Sequence, residues 1–229
     1  VSDWERLAPW WLDEVAGDPV YQEQVLPLAA DLLTGTPGPV LDLGCGEGQL
    51  LRALERTDAV GCDLSMTLLR RAGRTHPVVQ GRLPDLRWAR TGAFGAAIAV
   101  LVIEHLPTLD LFAEAHRVVA PGGGLAVVMN HPAYTPPGAG PIVDQTDGEV
   151  LWRWGRYFEE VAGIQPAGEG EVVFYHRPLG TILTAAAEAG WGLRRLVEEG
   201  LAPATVARDP GFAGQEQMPR LLGLLWGRP

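Results

Sequence analysis

Residues 40–54, Val-Leu-Asp-Leu-Gly-Cys-Gly-Glu-Gly-Gln-Leu-Leu-Arg-Ala-Leu, constrain the fold more than any other stretch of this chain. Gly38 and Pro39 punctuate its start, and residues 40–43 read as a short, buried parallel strand. Gly44, Gly46 and Gly48 follow at alternate positions. Glycine carries no Cβ, so such a turn can take left-handed dihedrals and let a ligand touch the backbone. From Gln49 onward, Leu50, Leu51 and Leu54, with Ala53, mark one face of a helix. The unpaired N–H groups at its start point back at the turn and can bind polar or anionic groups. Strand, glycine turn and helix are the parts of a nucleotide-type site at the carboxyl edge of a doubly wound sheet. The plainer alternative is a glycine turn that only packs a helix on a sheet.

The spacing narrows the choice of ligand. A dinucleotide fingerprint needs G-x-G-x-x-G, and here the third glycine comes one residue early, as Gly44-x-Gly46-x-Gly48. The next apolar run, residues 59–62, ends in Asp63, and an acid about 20 residues beyond such a turn can take both hydroxyls of a ribose. These residues resemble the class I S-adenosylmethionine-dependent methyltransferases, of the small-molecule, ubiquinone-biosynthesis-like type. Residues 40–48 are similar to the first motif of that family, with Asp42 as its acid. Gly61-Cys62-Asp63-Leu64-Ser65 is similar to its next motif.

The resemblance extends along the chain. Leu101-Val102-Ile103-Glu104-His105-Leu106-Pro107 is similar to the family motif that follows the fourth strand, and Pro121-Gly122-Gly123-Gly124 to the turn that enters the fifth. It implies an α/β fold: a doubly wound, seven-stranded, mostly parallel Rossmann-like sheet with its last strand antiparallel. An N-terminal helical lid and an insert after the fifth strand complete it. The implied cofactor is S-adenosyl-L-methionine. Its implied contacts are Asp42, Gly44, Cys45, Gly46, Asp63, Leu64 and Leu101, with Tyr21 set against the methionine carboxylate. After the third strand the family usually holds the adenine amino group with an Asp, and here the stretch is Gly81-Arg82-Leu83-Pro84-Asp85. Either Asp85 substitutes after a loop shift, or backbone near Gly81, Arg82 and Leu83 holds the base. Gly95 is another departure, at a position where the family usually has an Asp.

Length and charge bound the remaining possibilities. A chain of 229 residues is one domain with room for a sizeable core. Its net charge of −10, from 18 basic and 28 acidic residues, argues against nucleic acid as a partner, because such binders need a basic footprint. Every basic residue is Arg, which reads as the codon bias of a GC-rich bacterial genome. Cys45 and Cys62 lack metal-site spacing and read as small buried hydrophobes, so no metal is expected. No apolar run reaches membrane length, and no secretory leader opens the chain, so no membrane partner and a cytoplasmic location are expected. Nothing in the sequence fixes an oligomeric state.

Taken in order, residues 2–15 bring Trp4, Leu7, Trp10 and Trp11 onto one helical face, with Ser2 or Asp3 as cap. These rings either seal the core or form a lid over a ligand, closing together with residues 152–158. A further helix is expected over 21–33. Ser65 should cap a helix with Met66 and Leu69 inward, and 76–80 should form the third strand. Residues 93–102 read as a buried central strand, 109–119 as a helix and 125–129 as the fifth strand. Residues 130–175 break the β-α alternation, and with their aromatic residues they read as the wall of an acceptor pocket. A helix over 179–189, a strand over 193–197, a surface loop over 202–217 and a last strand over 219–226 complete the chain.

Methyl transfer from a sulfonium asks a protein mainly to position and desolvate two reactants. A hydroxyl acceptor also needs a base poised near neutral pH, and histidine suits that role. His131, just beyond the fifth strand, His176, at the end of the insert, and His105, in the motif after the fourth strand, are the candidates. His76 and His116 read as structural. The expected activity is methylation of a small, fairly apolar acceptor at oxygen, nitrogen or carbon, such as a natural product or aromatic metabolite. A nicotinamide-dependent oxidoreductase, disfavoured by the glycine spacing, and a non-catalytic cofactor-binding relative are the alternatives.

Overall fold

The computed structural model describes residues 3–15 and 17–229. Ser2, the alternative cap of the first helix, lies outside them. Asp3 fills that place: its Oδ1 accepts from the Arg6 amide at 3.2 Å and starts α1 (Trp4–Trp10). The chain continues as a π-helical turn at Trp11–Val15. Another π turn at Tyr21–Val25 runs into α2 (Leu26–Leu32).

The alternation then begins: β1 (Val40–Leu43), α3 (Gln49–Ala53), β2 (Ala59–Asp63), α4 (Met66–Ala72), β3 (Val78–Gln80), β4 (Phe94–Val100), α5 (Leu111–Val118) and β5 (Val119–Asn130). Four strands follow outside the main sheet, as the antiparallel hairpins β6 (Gly140–Val143) with β7 (Val150–Arg153) and β8 (Val161–Ala167) with β9 (Gly170–His176). Then come α6 (Leu179–Glu188), β10 (Gly192–Glu199), α7 (Pro203–Arg208) and β11 (Leu221–Gly227).

The main sheet has seven strands in the order β10-β11-β5-β4-β1-β2-β3. Its β3-to-β5 part is parallel, while β11 runs antiparallel to both β5 and β10. Successive side chains on a strand point to opposite faces, and the buried residues sort accordingly. Leu41, Leu43, Ala97 and Ala99 pack with Phe112 of α5 and Ile182 of α6. Val40, Ala96, Ile98 and Val128 pack with Leu28 and Leu32 of α2 and Leu50 and Leu51 of α3. The sheet is therefore wound on both faces, and its carboxyl edge is left to loops. No helix among the described residues is long and apolar enough to cross a membrane.

Three local expectations need correction. Met66 is exposed while Leu68 and Leu69 are buried, because the Ser65 cap places Met66 at the first helical position, off the inward stripe. Residues 202–217 are not a plain surface loop: they hold α7 and a 3-10 turn at Pro210–Phe212, and bury Thr205 and Gln215. The fifth strand takes in the Pro121–Gly124 turn as a register shift opposite β4. Gly95 also gains a reason there. A Cβ on it would sit 1.6 Å from the Pro37 carbonyl oxygen, so no side chain fits there.

Candidate active site

The glycine turn is tied to the end of β2. The Gly44 and Cys45 amides both donate to the Cys62 carbonyl, at 2.7 and 3.0 Å. Gly44, Gly46 and Gly48 have φ of +78°, +52° and +84°, the region that favours glycine. A Cβ on Gly44 would lie 2.5 Å from Val102 Cγ2. One on Gly46 would come no nearer than 3.7 Å, to the Trp11 indole nitrogen. The turn therefore presents bare backbone between the end of β4 and the tryptophans of the N-terminal segment.

Asp63, the last residue of β2, accepts from the Gly46 amide at Oδ2 and the Ser65 amide at Oδ1, both at 2.8 Å. A carboxylate has roughly four lone-pair positions, so each oxygen keeps a place for a ligand hydroxyl. Burial raises its pKa although the Ser65 and Gly46 amides pull the other way. Asp42 is wholly buried, and its Oδ2 has no hydrogen-bond partner. Burial, and then the charge of Asp63, push the Asp42 carboxyl up to about 8.

Above this floor lies a largely apolar cavity. Gly44, Gly46, Asp63, Leu64, Arg82, Leu83 and Leu101 line it, together with Leu68, Val100, Val102 and the Leu106-Pro107 turn. Trp4 and Trp11 cover it, with their rings edge to face at 6.4 Å. Tyr21, Asp42, Cys45 and Gly81 stand one layer behind. Tyr21 is buried edge-on against Trp11, with centroids 5.7 Å apart. The Cys45 thiol is buried, and a Cβ on Gly81 would meet Cys62 Sγ at 3.0 Å. Asp85 is not on the wall; it forks onto Arg87 at 2.9 and 2.6 Å, which holds its carboxyl at about 2. Arg82 and Leu83, not Asp85, line the cavity here. Leu101 has φ +54°, rare for a non-glycine residue, while its amide still donates to the Val128 carbonyl at 2.7 Å. That bend ends β4 and brings Val102 onto Gly44. Leu68 carries no motif signal in the sequence.

Of the three candidate histidines, His105 lies on the cavity wall. Its Nδ1 is 2.9 Å from the Val173 carbonyl, which can only accept, so the ring proton of the neutral form sits on Nδ1 and Nε2 keeps a lone pair. Trp4 and Phe174 pack edge-on against this ring at 5.1 and 5.6 Å. Arg177 brackets the turn, donating to the Ile103 and Leu106 carbonyls at 3.1 and 2.6 Å.

His131 lies elsewhere and is committed at both nitrogens. The Ala133 amide donates to its Nδ1 at 3.0 Å, and Nε2 meets Glu198 at 2.8 Å. Burial lowers its pKa despite Glu198. His176 is held likewise, by Thr135 Oγ1 at 3.0 Å and the Tyr157 carbonyl at 2.8 Å, and burial lowers its pKa too. A position just past a strand end does not determine which way either ring turns. The 152–158 segment does not close on this cavity either: Trp152 lines a separate one, and Trp154 and Phe158 are exposed.

Residues 41–127 match the model of a family described as a methyltransferase domain. Among solved structures, an S-adenosylmethionine-dependent methyltransferase from Mesorhizobium loti is 27% identical, covering 88% of this chain and 96% of that one, with a TM-score of 0.75. One from Listeria monocytogenes is 22% identical over 88% and 98%, with a TM-score of 0.71. The glycopeptide N-methyltransferase MtfA, solved with S-adenosyl-L-homocysteine, is 15% identical over 88% and 90%, with a TM-score of 0.56; these last two are likenesses of fold. No curated protein sequence matches the chain. The family match over residues 41–127 and the likeness of fold support a class I S-adenosylmethionine-dependent methyltransferase, with S-adenosylmethionine as the cofactor. The matches reach the class and not the ubiquinone-biosynthesis-like subtype. The site fits that cofactor. A bare turn would receive its amino-acid end, Asp63 has acceptor places left for ribose hydroxyls, and apolar walls would flank a planar base.

Proposed function

We propose that the chain methylates a small, partly apolar acceptor at oxygen, nitrogen or carbon, with Asp63 holding the cofactor ribose and His105 facing the acceptor. The observation that carries this reading is the position of His105. It lies on the wall of the cavity that Gly44, Gly46 and Asp63 floor, and its Nε2 lone pair is left over after Nδ1 is committed to Val173. Bound S-adenosylmethionine supplies an electrophilic methyl on a sulfonium, which leaves as a neutral thioether.

The residues of the chain do the rest. Trp4, Trp11, Leu64 and Leu83 exclude water from the reacting pair, which strengthens every electrostatic interaction inside. His105 Nε2 accepts the proton that a hydroxyl or ammonium acceptor must lose, or a hydrogen bond from it. Arg177 positions His105 by fixing the carbonyls on either side of it. A cavity roofed by the chain's own rings, on a protein of net charge −10, favours a small acceptor over a nucleic acid.

Titration calorimetry with S-adenosylhomocysteine and with NADH tests the cofactor part. S-adenosylhomocysteine should bind and NADH should not. Asp63→Asn, which keeps an acceptor for one of the two amides, should weaken binding roughly tenfold to a hundredfold, as expected for the loss of a charged hydrogen bond. Unchanged affinity in that variant would remove Asp63 from the ribose.

A further inference from the structure

Another cavity opens beside the first, under the insert. Its lining holds one charged residue, Arg220, and no acid among the described residues. In a chain of net charge −10, that is a local reversal of sign. Arg220 immediately precedes β11. Because β11 runs antiparallel, its first residue, Leu221, pairs with Asn130 at the end of β5. The topology therefore delivers Arg220 to the cofactor edge of the sheet.

The surroundings of this side chain are unusual for a cation. Arg220 is only 8% exposed, yet no carboxylate among the described residues forms an ion pair with it. Its Nη2 donates to the neutral Gln215 amide at 3.1 Å, and its Nε has no acceptor at all. Aromatic rings surround it, with Tyr134 3.8 Å, Phe212 5.2 Å and Trp152 6.0 Å from Cζ to ring centroid. Stacking on rings stabilises the faces of a guanidinium, while of its in-plane edge the protein answers Nη2 through Gln215 and leaves Nε unpaired. A buried charge with an empty donor calls for an acceptor, and a planar carboxylate is the group whose shape matches that edge.

We propose that this cavity seats the methyl acceptor through a carboxylate on Arg220, so that the substrates are small aryl or alkyl carboxylic acids. The assignment rests on the methyl-transfer reading above and deepens it. One ring contact links the two cavities. Phe174 lines the Arg220 cavity, and it packs on His105, which lines the cofactor cavity. An acid anchored on Arg220 therefore extends its far end toward His105, and the carboxylate is the handle, not the methylated group. Gln165 on the same wall supplies a neutral donor for further oxygens, while the Asn130 amide already donates to Glu104 at 3.1 Å. The exposed arginines of the surface lack any such enclosure.

The test uses the full chain saturated with S-adenosylhomocysteine, near neutral pH, and titration calorimetry with 4-hydroxyphenylacetate, its amide and inorganic phosphate. The acid should bind at least tenfold more tightly than the amide and than phosphate. Arg220→Gln should abolish that preference, and Arg220→Lys should restore only part of it because an ammonium lacks the fork. S-adenosylhomocysteine affinity should be the same in all three proteins. Equal binding of acid and amide, no binding of the acid at millimolar concentration, phosphate binding as tightly as the acid, or an acid preference that survives Arg220→Gln would each overturn the assignment. Failure of S-adenosylhomocysteine itself to bind would instead overturn the cofactor reading, and this assignment with it.

Discussion

Asp42 concentrates the conflict between stability and chemistry at the scale of one residue. It is fully buried with one oxygen unpartnered, and its carboxyl, ordinarily near 3.8, stands at about 8 in the folded chain. Between those values the folded state holds a proton that the unfolded state has released. Stability therefore falls as pH rises from about 4 to about 8, and no further loss from this group follows above that. Asp63, whose pKa is also raised by burial, adds to the slope with the same sign. Asp42→Asn removes the titration while keeping the shape. Denaturant melts of the wild type should lose stability across that window, whereas the variant should show a shallower profile. Parallel profiles would mean that the Asp42 carboxyl is ionised and satisfied in the folded chain. The sequence shows Asp42 as a motif acid, but its burial depends on the sheet closing around it.

At the scale of elements, α1 is held by one carboxylate. Glu5 accepts from the Ser65 and Thr67 hydroxyls, both at 2.6 Å, and from the Thr67 amide at 3.2 Å, at the N-terminus of α4. Helix N-termini favour negative charge, and these hydrogen bonds pull the Glu5 carboxyl from 4.5 to about 2. Its contribution is therefore complete above about pH 4.5 and fades as pH falls toward about 2. Since α4 follows Asp63 directly, the same contact aligns Trp4 over the cofactor cavity. Glu5→Ala should speed hydrogen exchange in residues 4–10 while the sheet strands stay protected, and S-adenosylhomocysteine should slow that exchange in both proteins. If α1 exchanges equally in the two, then Leu7 and Ala8, both buried, hold it by packing alone. A tryptophan-rich amphipathic segment is visible in the sequence, but its anchor, 60 residues away at Ser65, is not.

For the whole molecule, what could be read in the sequence divides along the line between local and tertiary information. Strand, glycine turn and helix announce themselves because each needs particular residues at fixed spacing, and the antiparallel last strand follows from the resemblance. What could not be read depends on where the chain returns. Residues 202–217 have the composition of a polar loop, yet Phe212 and Gln215 close on Arg220, and Tyr134 and Trp152 of the insert line a cavity separate from that of the cofactor. His131 sits just past the fifth strand and His176 at the end of the insert, as expected, but their rings turn to Glu198 and Tyr157, orientations that no periodicity encodes.

The insert and the core meet at Arg177, which follows the end of β9 and is buried. Its guanidinium donates to the carbonyls of Ile103 and Leu106, while the backbone of β9 accepts from His105 at Val173. One hairpin thereby fixes the turn that carries His105. Arg177→Met keeps most of the apolar stem and leaves the Leu106 carbonyl without its donor, costing about 1–3 kcal/mol if it stays buried, while the Ile103 carbonyl keeps the Leu106 amide at 3.3 Å. The expected result is a lower melting temperature, with faster hydrogen exchange in residues 103–106 and in β8 and β9 together, and unchanged exchange in β1 and β2. Faster exchange confined to residues 103–106 would show instead that the insert stands without the turn, and that Arg177 braces the site from one side only.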